Sequence, residues 1–352
     1  MMQYEVTIGI PVFKAADYIE ATLNSALAQT YPDLEILLVD DYGNDGSMDV
    51  ARRVATTHPR GSIIRMLAND GHQGVGPSRN RLIDNARGRY LYFLDADDLI
   101  APNTIELMVR EAIEHRAEMV YASYESIDQS DSNCVKKFQK PHIVFTEPDE
   151  LAIYAFQHMD VFQTTACNSL IDLQFLRQSG IRFIDTMFWE DLAFTYEVLT
   201  QACRAVLLPD ITYYYIYHLG SLSHGYTQHQ LQKSDIMRNV STIDYLKSKA
   251  AQLPVSRYLP FLCASLEVNS FYLLCYIIKN SERITPPVSR TEKKAIIRHP
   301  LPLRRILSFR EQLLQNLLFW LLGSLPESLM PPVVFLIGRM KKAAIAQRIG
   351  GE

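Results

Sequence analysis

Three carboxylates fall within four residues at Asp95-Ala96-Asp97-Asp98, where the apolar run of "YLYFLDADDLIAPN" stops. Like charges this close raise one another's pKa unless a positive group lies among them. On an extended strand end, residues i and i+2 share a direction. Asp95 and Asp97 therefore converge, while Asp98 turns aside. Two converging carboxylates suit a hard divalent cation, Mn²⁺ or Mg²⁺, with phosphates and water completing its shell. An isolated acid cluster before "PNTIELM" equally suits a helix N-cap, and the three residues alone leave both readings open.

Other acids sit at comparable places. Asp40-Asp41 closes "DLEILLVDD". A carboxylate there can accept an N–H or a hydroxyl from a ligand, or belong to a plain turn with "YGNDGS". Glu190-Asp191 opens "WEDLAFTYEVLTQA". Acids at a helix start are stabilised by its dipole. Arg79 and Arg81 in "GPSRNRLIDNARG" are basic candidates, or ordinary solvated helix charges. In "YHLGSLSHG", His218, Ser221, Ser223 and His224 stand in a Gly/Ser/His loop after a Tyr-rich strand, where plain surface residues are common. The run "GHQGVG" is no dinucleotide fingerprint, because it does not follow a first strand within a βαβ unit.

The elements that must position these groups alternate. Strand-like runs at 6–13, 31–41, 62–70, 89–98 and 118–128 are separated by helical spacing at 15–30, 46–58, 76–87 and 103–116. Such alternation implies a mostly parallel sheet covered by helices on both faces. Ligands bind such sheets outside the carboxyl ends of the strands. Asp40-Asp41 and Asp95-Ala96-Asp97 both fall at those ends. Residues 129–140 read as an exposed loop or hairpin, 189–202 as a helix, 211–228 as a strand and loop, and the chain from about 231 onward as helical. The expected division is a catalytic domain over 1–228 and a helical region over 229–352.

Three stretches, in order and spacing, resemble the catalytic domain of glycosyltransferase family 2: "TIGIPVFKAADYIEATLNSALAQTYPDLEILLVDDYGNDGS", "NDGHQGVGPSRNRLIDNARGRYLYFLDADD" and "FWEDLAFTYEVL". The resemblance implies a GT-A fold and a nucleotide-sugar donor, with a UDP-sugar favoured. It implies that Pro11 and Phe13 line the nucleotide pocket and that Asp41, with Asp40 beside it, contacts the nucleoside. It implies that Arg79 faces the donor, with Gly71, Gly74 and Gly76 allowing close approach. Asp97 becomes the main metal ligand, and Asp95, across Ala96, contacts ribose or metal-bound water. Asp191 in its pair with Glu190 becomes the base of an inverting transfer, and the loop holding His218 and Ser223 closes over the diphosphate. This chain reads Asp-Asp-Tyr-Gly where the family usually reads Asp-Asp-Gly-Ser.

Composition sets the surroundings. The net charge of −4 hides 12 Lys+Arg against 5 Asp+Glu in residues 281–352, a +7 tail on an acidic body. The short apolar runs of 304–348 with flanking Arg and Lys suit amphipathic helices on a membrane surface, or a helical subdomain packed on the catalytic domain or on a second copy. No run reaches the roughly 18 uninterrupted apolar residues of a spanning helix. The amino terminus lacks the basic and long apolar regions of a signal peptide. The 5 cysteines are dispersed without a CxxC pair, as in a reducing compartment. These features favour a cytoplasmic protein, peripheral at the inner face of the plasma membrane. The expected function is an inverting, metal-dependent hexosyl-type transfer to a saccharide or lipid-linked saccharide in bacterial surface polysaccharide assembly. Nucleic acid is not an expected partner; a homodimer is compatible. The alternatives are a non-catalytic nucleotide-sugar-binding homologue, or a nucleotidyltransferase, which needs a Gly-rich, Lys-containing phosphate loop that "IPVFKAADY" does not supply.

Overall fold

The computed structural model describes residues 4–128, 133–158, 164–186, 189–218, 231–330, 332–334 and 336–337. The chain forms two compact units, Met1–Tyr226 and Thr227–Glu352. The first begins with β1 (Tyr4–Val12), α1 (Ile19–Leu27), β2 (Leu34–Asp40), α2 (Ser47–Thr57), β3 (Ile64–Ala68), α3 (Val75–Asn85) and β4 (Gly88–Phe93). It continues through β5 (Leu99–Ile100), α4 (Thr104–His115), β6 (Met119–Asp128), β7 (Cys134–Phe138), β8 (Ile143–Phe145) and α5 (Glu150–Gln157). It closes with β9 (Ser169–Asp172), α6 (Leu173–Ser179), α7 (Glu190–Gln201) and β10 (Ala205–Tyr217).

The sheet runs β3-β2-β1-β4-β9-β6-β10-β5, with β7 on β6 and β8 on β10. The expected parallel block is β3-β2-β1-β4, and β6 pairs β10 in parallel as well. The remaining pairings are antiparallel, so the sheet is mixed. The strand between β4 and β6, "SLID", is only four residues long, too short to show a period in the sequence.

Ile8, Ile10, Ile36, Leu38, Leu91 and Phe93 are fully buried, as strands covered on both faces require. At Gly9 an added Cβ would lie 3.1 Å from Leu82 of α3, which marks how closely that helix packs on β1. Pairing of β1 with β4 ends at Gly9↔Phe93, so the missing N–H of Pro11 leaves no gap on that side. Beyond this point β4 parts from β1, while β1 and β2 stay paired to Val12↔Asp40, and the loops that follow carry the acids.

The second unit contains α8 (Lys233–Gln252), α9 (Leu259–Lys279), α10 (Arg290–Ile296), α11 (Leu303–Ile306) and α12 (Leu313–Ser324). Leu231–Gln232 and Ile284–Thr285 add a short parallel pair. The 21-residue α9 is long and apolar enough to cross a membrane by length and composition alone. Its hydropathic stretch is 61% buried. Its fully buried Glu267 meets Lys247 of α8 at 2.8 Å. A buried charge requires such a partner.

Candidate active site

Each carboxylate of the Asp95–Asp98 cluster has its own partner. Asp98 is buried; it accepts from the Tyr213 hydroxyl and, at 2.8 Å, from the Ile216 backbone N–H. It thereby pins β10 over the end of β4, and burial with the charges of Asp97 and Asp95 pushes its pKa well up. Asp97 lies 3.0 Å from His218 Nε2, and the Nδ1 of that ring lies 3.2 Å from the Tyr18 hydroxyl. Tyr18 also stacks on His218, with centroids 4.3 Å apart. Asp95 accepts from Arg79 Nη2 at 2.8 Å. Ala96 between them is buried, and its carbonyl accepts from Thr22 of α1 at 2.9 Å.

Arg79 is the positive group beside Asp95. Its side chain, 3% exposed, rises from α3 between strand ends and α7. Nη1 donates to Asp191 Oδ1 at 2.7 Å and to Glu190 Oε1 at 3.2 Å. Its guanidinium carbon sits 5.4 Å from the centre of the Phe183 ring. Nε finds no hydrogen-bond partner among the described residues. One cation thus faces three acids. Burial raises the pKa of Asp191 to about 7; Arg79 opposes the rise, and Glu190 and Asp95 add to it. Burial likewise pushes Glu190 up. Gly76 begins α3 so close to the 183–184 segment that an added Cβ would lie 2.9 Å from the Ile184 carbonyl.

On the other side of α3 lies a second cluster. Asp41 is 2% exposed and faces inward. Its Oδ1 accepts from Asn69 Nδ2 and Gln73 N–H, both at 2.8 Å. Its Oδ2 accepts from His72 Nδ1 at 2.8 Å and Gly74 N–H at 2.9 Å. Four donors occupy the carboxylate, so Asp41 shapes the 69–74 loop, and the group it presents outward is His72. A carboxylate accepts only, so Nδ1 carries a proton, and where the ring carries no second one Nε2 is an acceptor. His72 is half-exposed and stacks on Phe13, with centroids 4.2 Å apart and planes 18° apart. Asp40 accepts from the Tyr42 N–H at 2.9 Å and, with Val12 and Lys14, lines a cavity of about 190 Å³. Tyr42 stands at φ 59°, the left-handed conformation that glycine adopts without strain.

Of the residues singled out in the sequence, Arg79, Asp95, Glu190 and Asp191 form one ion-paired cluster. Asp97 and His218 form a neighbouring pair, and Pro11, Phe13, Asp40 and Asp41 lie along the ends of β1 and β2. Ser223, with Ser221 and His224, lies outside the described residues. His72, Tyr18, Cys167 and Phe183 join the site without having been singled out. The signal for His72 was present: a histidine in the loop after a buried strand, directly ahead of a helix. Cys167, 3.9 Å from Arg79 Nη2, carried no such signal.

Among the described residues no group of three or more His, Cys, Asp or Glu side chains stands ready to hold a metal ion. The pair Asp95 and Asp97 still fits a cation that needs few protein ligands. Both side chains are about one-third exposed. Burial and the charge of Asp95 push the Asp97 carboxyl up, an excess of negative charge that a divalent ion would relieve.

A mixed sheet, parallel at its start and flanked by helices, with acids at its carboxyl rim, has the GT-A architecture. Residues 7–176, 170 of the 352, match the family model described as Glycosyl transferase family 2, and this stretch of the chain is a domain of that family. Glu190 and Asp191 lie beyond the matched span, so their assignment rests on geometry. A structure of TarS 1–349 from S. aureus in complex with UDP-GlcNAc shares the fold. It has a TM-score of 0.64 at 15% identity, covering 96% of this chain and 92% of that one. Among curated relatives, the uncharacterized glycosyltransferase RT0329 of Rickettsia typhi is 32% identical over 54% of this chain and 56% of its own length. WfaP of Escherichia coli is 27% identical over 67% of this chain and 86% of its own length. WfaP is described as a UDP-Glc:alpha-D-GlcNAc-diphosphoundecaprenol beta-1,3-glucosyltransferase. The chain thus spans little more than half of the first relative.

Proposed function

We propose that this protein is an inverting glycosyltransferase that moves a sugar from a UDP-sugar to a hydroxyl of a lipid-linked saccharide in surface polysaccharide assembly. The observation that carries the reading is the Arg79 fork, which joins the strand-end acid Asp95 to Glu190 and Asp191. Donor-side and acceptor-side acids thereby share one rigid cation. The descriptions of WfaP and of the TarS complex support the uridine nucleotide, and that of WfaP supports the lipid-linked acceptor.

In this reading Asp191 accepts the proton of the acceptor hydroxyl as that oxygen bonds to the anomeric carbon. The bond from the anomeric carbon to the diphosphate oxygen breaks, and its electron pair leaves with UDP. Attack from the face opposite the leaving group inverts the centre. A general base works best with a pKa near the operating pH, and a value of about 7 satisfies that. Arg79 orients Asp191, and Phe183 holds the guanidinium from the side. Asp97 and Asp95 would hold Mn²⁺ or Mg²⁺, which supplies charge neutralisation to the leaving diphosphate. At the base end, Phe13 offers a stacking face. His72 Nε2 offers an acceptor to an N–H, which uracil has at N3 and cytosine lacks.

The test is transfer from a panel of nucleotide sugars to a lipid-linked acceptor or its short-chain analogue, with product configuration read by NMR. Inverted product from a UDP-sugar supports the reading, and its loss in Asp191→Asn with UDP binding intact assigns the base. Retained configuration, or full turnover by Asp191→Asn, overturns it.

A further inference from the structure

The second unit carries a surface that its own fold does not cover. Of the 13 large hydrophobic side chains exposed among the described residues, 10 belong to it. The densest part is α12, "LLQNLLFWLLGS", which contains no charged residue. Leu314, Leu318 and Leu321 recur at helical spacing on one stripe and are 72%, 58% and 56% exposed. Its inward face holds a polar residue beside Leu322. Buried Asn316 takes a hydrogen bond with His299 Nε2 at 3.0 Å and donates to the Pro260 carbonyl at 3.0 Å. A helix that leaves Leu314, Leu318 and Leu321 outside and carries no charge is not built to face water.

Neighbouring elements carry exposed apolar side chains as well. Phe319 of α12 meets Phe271 of α9 at 6.3 Å, and the next residue on α9, Tyr272, is exposed. Cys275 of α9 lies 4.0 Å from the Val334 carbonyl, and just beyond it Leu336 and Ile337 are exposed. The flanking charge is basic. Arg298, Arg304 and Arg310 are exposed and make no ion pair among the described residues, and Glu311 is the one acid in that stretch.

We propose that this face docks on an anionic lipid bilayer. A 12-residue helix is about 18 Å long, well short of the roughly 30 Å hydrocarbon core, so α12 lies in the interface and does not span it. The leucine stripe enters the acyl boundary and the arginines meet the headgroups. A second copy of the chain is the poorer occupant, because it would set two +7 segments against each other. The inference is independent of the donor chemistry, since it concerns only the second unit.

The full chain is mixed with vesicles of phosphatidylcholine alone, or with about a third phosphatidylglycerol, and sedimented. The expected result is binding to the anionic vesicles at least tenfold stronger than to the neutral ones, weakened by salt. A blue shift in Trp320 emission should accompany binding and vanish in Trp320→Phe. Leu314→Gln with Leu318→Gln and Leu321→Gln should weaken binding tenfold or more while the melting temperature and UDP binding stay unchanged; these side chains are exposed, so the variant folds. Arg304→Gln with Arg310→Gln should erase the preference for anionic vesicles. Wild-type protein that stays in solution with both vesicles, or a leucine variant that binds like wild type, overturns the proposal. So does a wild-type dimer that the leucine substitutions dissociate.

Discussion

Arg79 Nη1 donates to Asp191 Oδ1 at 2.7 Å while Nη2 of the same guanidinium donates to Asp95 at 2.8 Å. A planar fork fixes both acids at once, which a lysine's single ammonium cannot do. Arg79→Met would leave three acids around a buried gap with no cation. Removing one partner of a buried ion pair costs about 3–5 kcal/mol. We expect a large fall in melting temperature and a rise in the pKa of Asp191. Arg79→Lys should recover part of the stability and little of the transfer rate. An Arg79→Met protein that melts like wild type would show that the cluster does not depend on this charge.

The pH profile follows from Asp191. Its pKa lies at about 7, raised from the usual carboxylate range by burial. Only the ionised form accepts a proton, so it is absent well below pH 7 and full above it. With a single base, kcat/KM should rise about tenfold per pH unit on the acid side and level off above neutrality. Asp191→Asn should abolish this limb and reduce turnover by about 10²–10⁴. A flat profile from pH 5 to 8 in the wild type, at constant UDP affinity, would remove Asp191 from the reaction.

His72 gives a separable prediction about the base. Asp41 fixes the Nδ1 proton, so Nε2 can accept the N3–H of uracil but meets a lone pair on cytosine. Sites built around one hydrogen bond reject analogues that lack it. We expect UDP to bind at least tenfold more tightly than CDP. His72→Asn can still donate to Asp41 but offers nothing at the Nε2 position, so the two nucleotides should converge. Calorimetry with Mn²⁺ present reads both. Equal affinity of the wild type for UDP and CDP sinks this assignment.

Much of the framework was legible because the first 128 residues alternate strongly. Runs such as "LEILLVD" and "YLYF" are buried strands and little else, and the acids that end them mark the sheet's carboxyl rim. The sequence could not show which partner each acid would choose. Arg79 is 16 residues from Asp95 and 112 from Asp191, and only folding brings α3, the end of β4 and α7 together. Asp41 illustrates the limit most sharply. Its type and place suggested contact with a nucleoside; in the fold four donors from one loop take up its carboxylate, and His72 of that loop is the exposed side chain beside it. The antiparallel strands β7, β8 and β9, of three to five residues each, carry too few residues for their pattern to be read. Tyr42 is a local conflict of another kind, an aromatic residue in a left-handed turn, imposed by the loop that joins Asp40-Asp41 to α2.

Lys140 carries a last prediction, about stability. It is 2% exposed, and its Nζ lies 3.9 Å from the centre of the Tyr121 ring with no hydrogen-bond partner among the described residues. Burial lowers its pKa to about 7. An unfolded lysine keeps its proton up to about pH 10.4. Between pH 7 and that value the unfolded chain binds one more proton than the folded chain, so stability rises with pH across this window. Below pH 7 both states are protonated and the full cost of the buried charge remains. Lys140→Met keeps the length and removes the charge, while the methionine sulfur can still pack on the aromatic ring. The variant should therefore melt several degrees above wild type at pH 6, and the difference should shrink steadily towards pH 10. A variant that melts below wild type at pH 6 would show that Lys140 has a favourable partner in the folded chain.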